Sequence, residues 1–133
     1  MDRREAIEGA DGVIISPANP ITSIGPILSI RGVREALSKA KVLAISPIIG
    51  SAPVSGPAGK LMEAMGVEVS AYGVAELYRG FLDVLLVDRG DAALKDRIEG
   101  LGVRCVPTNI LMRGVRGEEA LARRALKHLG AMG

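Results

Sequence analysis

Val13-Ile14-Ile15-Ser16-Pro17 returns about 30 residues later as Leu43-Ala44-Ile45-Ser46-Pro47. Each motif opens a charge-free stretch, Gly12 to Ile30 and Val42 to Gly59, in which an apolar, isoleucine-bearing strand runs into a loop of Gly, Pro, Ser, Thr and Asn. That interval is the length of a strand–loop–helix unit, and a polar, proline-stiffened loop after each strand is how an α/β fold builds a backbone-lined ligand site. Downstream, Asp83-Val84-Leu85-Leu86-Val87-Asp88 is apolar without alternation, the pattern of a strand covered on both faces and therefore inside the sheet.

Around these anchors, strands are expected near 12–17, 41–47, 83–88 and 103–107, with Val67-Glu68-Val69 as a short further edge strand. Helices are expected over Val33 to Ala40, Ala58 to Met65, Val74 to Phe81, Asp91 to Leu101 and about Glu118 to Leu129. Asp91 is positioned to cap the fourth of these, and Gly100 and Gly102 to end it. The alternation predicts an α/β fold: a mostly parallel sheet with helices on both faces, Rossmann-like and three-layered, in a single domain over residues 1–133. Nucleotide-binding folds of this kind usually open with a strand and a glycine-rich turn, whereas Met1-Asp2-Arg3-Arg4-Glu5 opens a charged amphipathic segment, so the chain reads as the second part of a larger domain.

A 133-residue chain buries enough surface to fold without disulfides, and its one cysteine, Cys105, lies in an apolar run as expected of a buried thiol in a reducing compartment. A net charge of +2, no Trp, one Phe and two Tyr give neither the basic patch nor the stacking platform of a nucleic-acid binder. Six prolines (17, 20, 26, 47, 53 and 57) interrupt the uncharged stretches and exclude a bilayer helix, and the amino terminus lacks a signal-peptide pattern. A cytoplasmic location is expected.

The first loop offers Asn19, Thr22 and Ser23 as hydrogen-bonding side chains, and the amides of Ser23, Ile24 and Gly25 for an anion. The second, Gly50 to Lys60, places Lys60 in the first turn of a helix, where a cation opposes the helix dipole unless an anion sits beside it. It is no Walker A loop, since Val54 stands where the first Gly belongs and Leu61 follows the lysine. Asp88, at the carboxyl end of the central strand, is a candidate to face a metal or a ribose, or else a cap. Thr108, Asn109 and Arg113 share that edge. The single histidine, His128, lies near the tail, and no nucleophile–base pair, zinc spacing or close carboxylate pair is present to name a catalytic residue. Phosphoryl chemistry, in which positioning and charge neutralisation dominate, suits such loops.

Three motifs together, Ile15-Ser-Pro-Ala-Asn-Pro-Ile-Thr-Ser-Ile-Gly-Pro-Ile-Leu28, Ser46-Pro-Ile-Ile-Gly-Ser-Ala-Pro-Val-Ser-Gly-Pro-Ala-Gly-Lys-Leu-Met62 and Gly73-Val-Ala-Glu-Leu-Tyr78, resemble the carboxyl-terminal half of the 2-phospho-L-lactate transferase family. The resemblance covers about residues 9 to 125. It implies a transferase moving a 2-phospho-L-lactyl group from a guanosine diphosphate carrier, lactyl-diphosphoguanosine, to the deazaflavin Fo. GMP is released, with magnesium as cofactor, in the biosynthesis of coenzyme F(420), which methanogens and actinobacteria use. Asn19, Thr22, Ser23 and Gly25 match the family's first loop, and Ser55, Gly56, Gly59 and Lys60 its second. The chain departs from the pattern at Thr108-Asn109-Ile110-Leu111-Met112, where the family favours an aspartate in place of Asn109, and in lacking the half that supplies the opening turn and the residues that hold Fo and the metal. The expected partners are the two small-molecule substrates and either a separate amino-terminal half or a second copy of the chain. A related family of non-catalytic nucleotide-sugar regulators resembles the same fold and first loop, so a regulator and an inert fragment stand as the alternatives.

Overall fold

The computed structural model describes residues 12–15, 17, 20–53 and 57–110, together with Arg123 and Lys127. Its strands, numbered along the chain, are β1 (Val13–Ile15), β2 (Val42–Ile45), β3 (Ile48–Ile49), β4 (Ala52–Pro53), β5 (Val84–Asp88) and β6 (Arg104–Thr108). Four of them form an all-parallel sheet in the order β1-β2-β5-β6, and β3 and β4 form a small antiparallel hairpin between β2 and the next helix. The register pairs Ile15 with Ala44, Ile45 with Leu86, and Leu85 with Cys105. The apolar run 84–87 is thus interior, as its lack of alternation requires. Asp83 extends the ladder below β5: its amide donates to the Val42 carbonyl (2.9 Å), its carboxylate accepts the Val42 N–H (2.8 Å) and its carbonyl accepts the Arg104 N–H (2.9 Å).

The helices are α1 (Gly25–Leu28), α2 (Val33–Ser38), α3 (Ala58–Ala64), α4 (Ala71–Leu77) and α5 (Lys95–Glu99), with a π turn over Pro20–Ile24 leading into α1 and a 3₁₀ turn over Arg89–Leu94 leading into α5. Strand alternation divides the core in two. Ile15, Val42, Ala44, Leu85, Val87 and Cys105 pack against Val33, Leu37, Met62, Val74 and Ile98. On the opposite face Leu43, Ile45, Val84 and Leu86 are buried with Ile110 and the half-buried Ile49 and Val106. Each described helix reaches the core through the first cluster. The order β1-β2-β5-β6 accounts for this, because right-handed crossovers that all step the same way place their helices on the same face. The helix expected over 118–129 lies outside the described residues, apart from Arg123 and Lys127, which are helical and exposed.

Four expectations are corrected. Val67–Val69 is not a strand: Gly66, at φ +73°, ends α3 with the Val67 N–H donating to the Met62 carbonyl (2.9 Å), and Ser70 N–H donates to the Glu68 carbonyl (3.0 Å), so the backbone groups of this segment are spent on two helix ends. Helix α4 begins at Ala71, not Val74, because the extended Ser70 caps it, its hydroxyl accepting the Gly73 N–H at 3.1 Å. Asp88, rather than Asp91, caps the turn after β5 by accepting the Gly90 N–H at 2.9 Å. The first loop is helical from Pro20 to Leu28. Pro26 has no N–H to donate and its ring crowds the preceding turn, which the wide π turn accommodates.

Candidate functional site

Parallel strands put all four carboxyl ends on one edge of the sheet, and the sequence motifs follow from those ends. From β1 the chain enters the π turn that carries Thr22 and Ser23, both exposed, and then Gly25 at the start of α1. A Cβ on Gly25 would meet the Pro20 carbonyl oxygen at 3.1 Å, so the residue lies against the turn's backbone, and the amides of Ser23, Ile24 and Gly25 fall within the helical run rather than in an open loop.

From β2 the chain passes Ser46, fully buried, whose hydroxyl donates to the Ile48 carbonyl (2.9 Å) and accepts the Ile48 N–H (3.2 Å). This local turn starts the β3–β4 hairpin. At its tip Gly50 has φ +64°, and its N–H donates to both carboxylate oxygens of Asp91 at 3.1 Å. Asp91 is only 5% exposed, and a hydrogen bond to a buried carboxylate contributes about 1.5–3 kcal/mol, so it fixes the second loop to the 3₁₀ turn after β5. Sequence reasoning missed this anchor because its two ends are 41 residues apart.

Helix α3, which carries Gly59 and Lys60 in its first turn, packs against the π turn of the first loop. The two motifs are therefore neighbours. Between hairpin and helix lies a cavity of about 500 Å³ lined by Ser51, Ala52, Pro57, Gly59, Lys60 and Glu63, with Val69 at its wall. Lys60 is exposed and makes no ion pair among the described residues; Glu63 brings a carboxylate to the same wall. Asn19, Ser55 and Gly56 lie outside the described residues.

Asp88 is half-buried at the carboxyl end of β5, opposite Thr108 of β6 in register. No group of three His, Cys, Asp or Glu that would hold a metal comes together among the described residues. Magnesium bound to a diphosphate takes one or two carboxylates and completes its shell with phosphate oxygens and water, so a single carboxylate such as Asp88, with one oxygen given to the Gly90 amide, fits that role as one ligand. Cys105 is buried, and burial pushes its thiol up to about 11, an unreactive state.

The third motif is structural. A Cβ at Gly73 would lie 1.8 Å from the Glu68 carbonyl oxygen, so only glycine lets the 67–69 segment rest on α4. That segment is held from outside by Arg97, which donates to Glu68 (3.1 and 3.4 Å) and stacks over the Tyr72 ring at 4.1 Å. The Ser70 hydroxyl and Arg97 keep the Glu68 carboxyl below the usual glutamate range.

An all-parallel sheet with helices packed on it and a lysine-bearing cavity beside the loop that follows β2 defines an α/β protein. The family model described as 2-phospho-L-lactate transferase CofD matches residues 2–111, and the chain belongs to that family. It is 55% identical over 118 residues to the 2-phospho-L-lactate transferase of Methanosarcina acetivorans, covering 89% of this chain and 38% of that one. Against the transferase of the same name from Methanosarcina barkeri it is 53% identical over 118 residues, with 89% and 38% covered. Against that of Methanocaldococcus jannaschii it is 44% identical over 128 residues, with 96% and 40% covered. The chain thus spans about two-fifths of the length of these relatives. No helix among the described residues is long and apolar enough to cross a membrane.

Proposed function

We propose that this chain carries the nucleotide-diphosphate site of a phospholactyl transferase in coenzyme F(420) biosynthesis. Its donor is a 2-phospho-L-lactyl group on a guanosine diphosphate carrier, its acceptor is Fo, and GMP leaves. In the reaction an acceptor hydroxyl oxygen forms a bond to the phosphorus that bears the lactyl group. The bond from that phosphorus to the bridging oxygen breaks, GMP departs with the electron pair, and the hydroxyl proton passes to solvent or to a base outside the described residues.

The observation that supports this reading is the packing of α3, the helix that bears Gly59 and Lys60, against the π turn that bears Thr22 and Ser23, in a chain of this family. The Lys60 ammonium neutralises charge on the diphosphate as the bridging oxygen takes up negative charge, and the absence of a side chain at Gly59 lets phosphate approach the helix backbone. By their match to the family's loops, Asn19, Ser55 and Gly56 are assigned to the same phosphates as Gly25 and the hydroxyls of Thr22 and Ser23. Magnesium, when bound, would neutralise the same phosphates, and Asp88 is this chain's candidate carboxylate for holding it. These roles need no nucleophile from the protein, in keeping with a sequence from which no nucleophile–base pair can be read.

The nucleotide-sugar regulator is the competing reading, and displacement of a fluorescent GDP by unlabelled nucleotides separates the two. GDP is expected to displace the probe at least tenfold more effectively than UDP-glucose. Equal or better displacement by UDP-glucose assigns the chain to the regulators instead.

A further inference from the structure

One wall of the cavity beside Lys60 depends on a residue that does not line it. Ser51 and Ala52, on that wall, belong to the β3–β4 hairpin, which pairs only Ile48 with Pro53 and Ile49 with Ala52. A lone two-stranded ribbon is at best marginally stable in water, so its place depends on what ties it to the rest of the fold. At its base, the Ser46 hydroxyl bonds both backbone groups of Ile48, and Ile48 is itself fully buried. At its tip, the Gly50 N–H donates to both Asp91 oxygens at 3.1 Å. That bond lies on the residue next to Ser51, so the tip and the cavity wall move together.

Two walls of the cavity trace back to one segment of chain. Asp91 lies in the 3₁₀ turn 89–94, and α5, which continues it, carries Arg97, whose guanidinium donates to Glu68, the sequence neighbour of the wall residue Val69. The two ties differ in strength. Asp91 is 5% exposed, so water competes little for its oxygens, whereas the side chains of the Arg97–Glu68 pair are about half exposed and such pairs contribute little. Asp91 is therefore the dominant tie. A ligand that needs the hairpin wall binds only while the hairpin is seated, so ligand and tether favour one another reciprocally. We propose that Asp91 is a positioning residue for this cavity: by holding Gly50 it keeps Ser51 and Ala52 opposite Gly59 and Lys60, and so sets the affinity for a nucleoside diphosphate. The identity of that ligand rests on the proposed donor site, whereas the tether does not.

The test reads GDP affinity by calorimetry and hydrogen exchange at the Gly50 amide in the 133-residue chain. In the wild type, GDP at about 100 times its Kd is expected to slow Gly50 exchange at least about tenfold, because the hairpin then opens only after the ligand leaves. Asp91→Ala is expected to speed Gly50 exchange and to weaken GDP binding, each by at least about tenfold. Asp91→Asn, which keeps an acceptor oxygen without the charge, is expected to fall between the two, and Arg97→Ala to stay within about threefold of the wild type. The wild-type exchange measurement needs no substitution, so it decides the matter even where Asp91→Ala fails to fold. Two results overturn the proposal: Gly50 exchange indifferent to bound GDP, or a folded Asp91→Ala that binds GDP as the wild type does, whatever its Tm. A wild type that binds no GDP is instead the failure of the donor-site reading and takes the affinity claim with it, while faster Gly50 exchange in Asp91→Ala would still establish the tether.

Discussion

Replacing Gly73 with alanine sets two physical effects against each other. Helix propensity favours alanine over glycine by about 1 kcal/mol, so judged as an isolated helix α4 gains from the change. Packing opposes it. The new Cβ falls 1.8 Å from the Glu68 carbonyl oxygen and 2.9 Å from its carbon, and the two must part by more than about 1 Å to reach the closest spacing such atoms tolerate. Neither side yields freely. Ala71, Val74 and Ala75 hold α4 in the core with no exposed surface, while the 67–69 segment is tied to Met62, Ser70 and Arg97. Overpacking of this kind costs about 1–3 kcal/mol, and displacing Glu68 also loses the hydrogen bond from the Ser70 amide, about 1 kcal/mol. After the propensity gain the net loss is about 1–3 kcal/mol. At about 4 °C per kcal/mol for a chain of this size, Tm falls by about 4–12 °C in a thermal melt followed by circular dichroism. An unchanged or raised Tm would refute the packing account, because propensity alone predicts the opposite sign.

Three further outcomes are expected. Lys60→Ala weakens GDP binding by about 1–3 kcal/mol, roughly 5- to 150-fold, if the ammonium pairs with phosphate, and leaves Tm unchanged because the side chain is exposed; equal affinity returns Lys60 to the solvent. Tyr78→Phe is neutral or raises stability by about 1 kcal/mol in urea titration, since the buried Tyr78 hydroxyl has no hydrogen-bond partner among the described residues; a loss of that size reveals one. Glu68→Gln narrows its stability gap to the wild type as pH falls. The folded carboxyl titrates below its ordinary value of 4.5, so its contribution is complete above that value and is lost as pH drops through the lowered one. A gap that stays constant from pH 7 to pH 3 excludes the Ser70 and Arg97 contacts as its source.

The sheet was legible from sequence because its strands are local, apolar runs: 84–88 read as interior and lies between β2 and β6. What was not legible depends on contacts distant in the chain or on competition between neighbours. The β3–β4 hairpin inside the second loop is held by Asp91, 41 residues beyond Gly50, and nothing near Gly50 announces it. Asp88 and Asp91 both stand before a helical segment, and only the fold decides that the first caps while the second turns inward. Val67–Val69 has strand-like residues, yet Gly66 and Ser70 on either side commit its backbone to helix ends. At the candidate site the residue types were readable but the adjacency of the two loops was not, since it arises from α3 packing on the π turn. Gly73 opens the third motif of the resemblance, and its environment gives it a packing role that the sequence alone does not reveal.

The central claim is that the chain holds the nucleotide-diphosphate site, and calorimetric titration with GDP, with and without magnesium, tests it most directly. The account predicts one site of micromolar affinity, tightened by magnesium and weakened by Lys60→Ala. Absence of any binding heat with or without magnesium would contradict it.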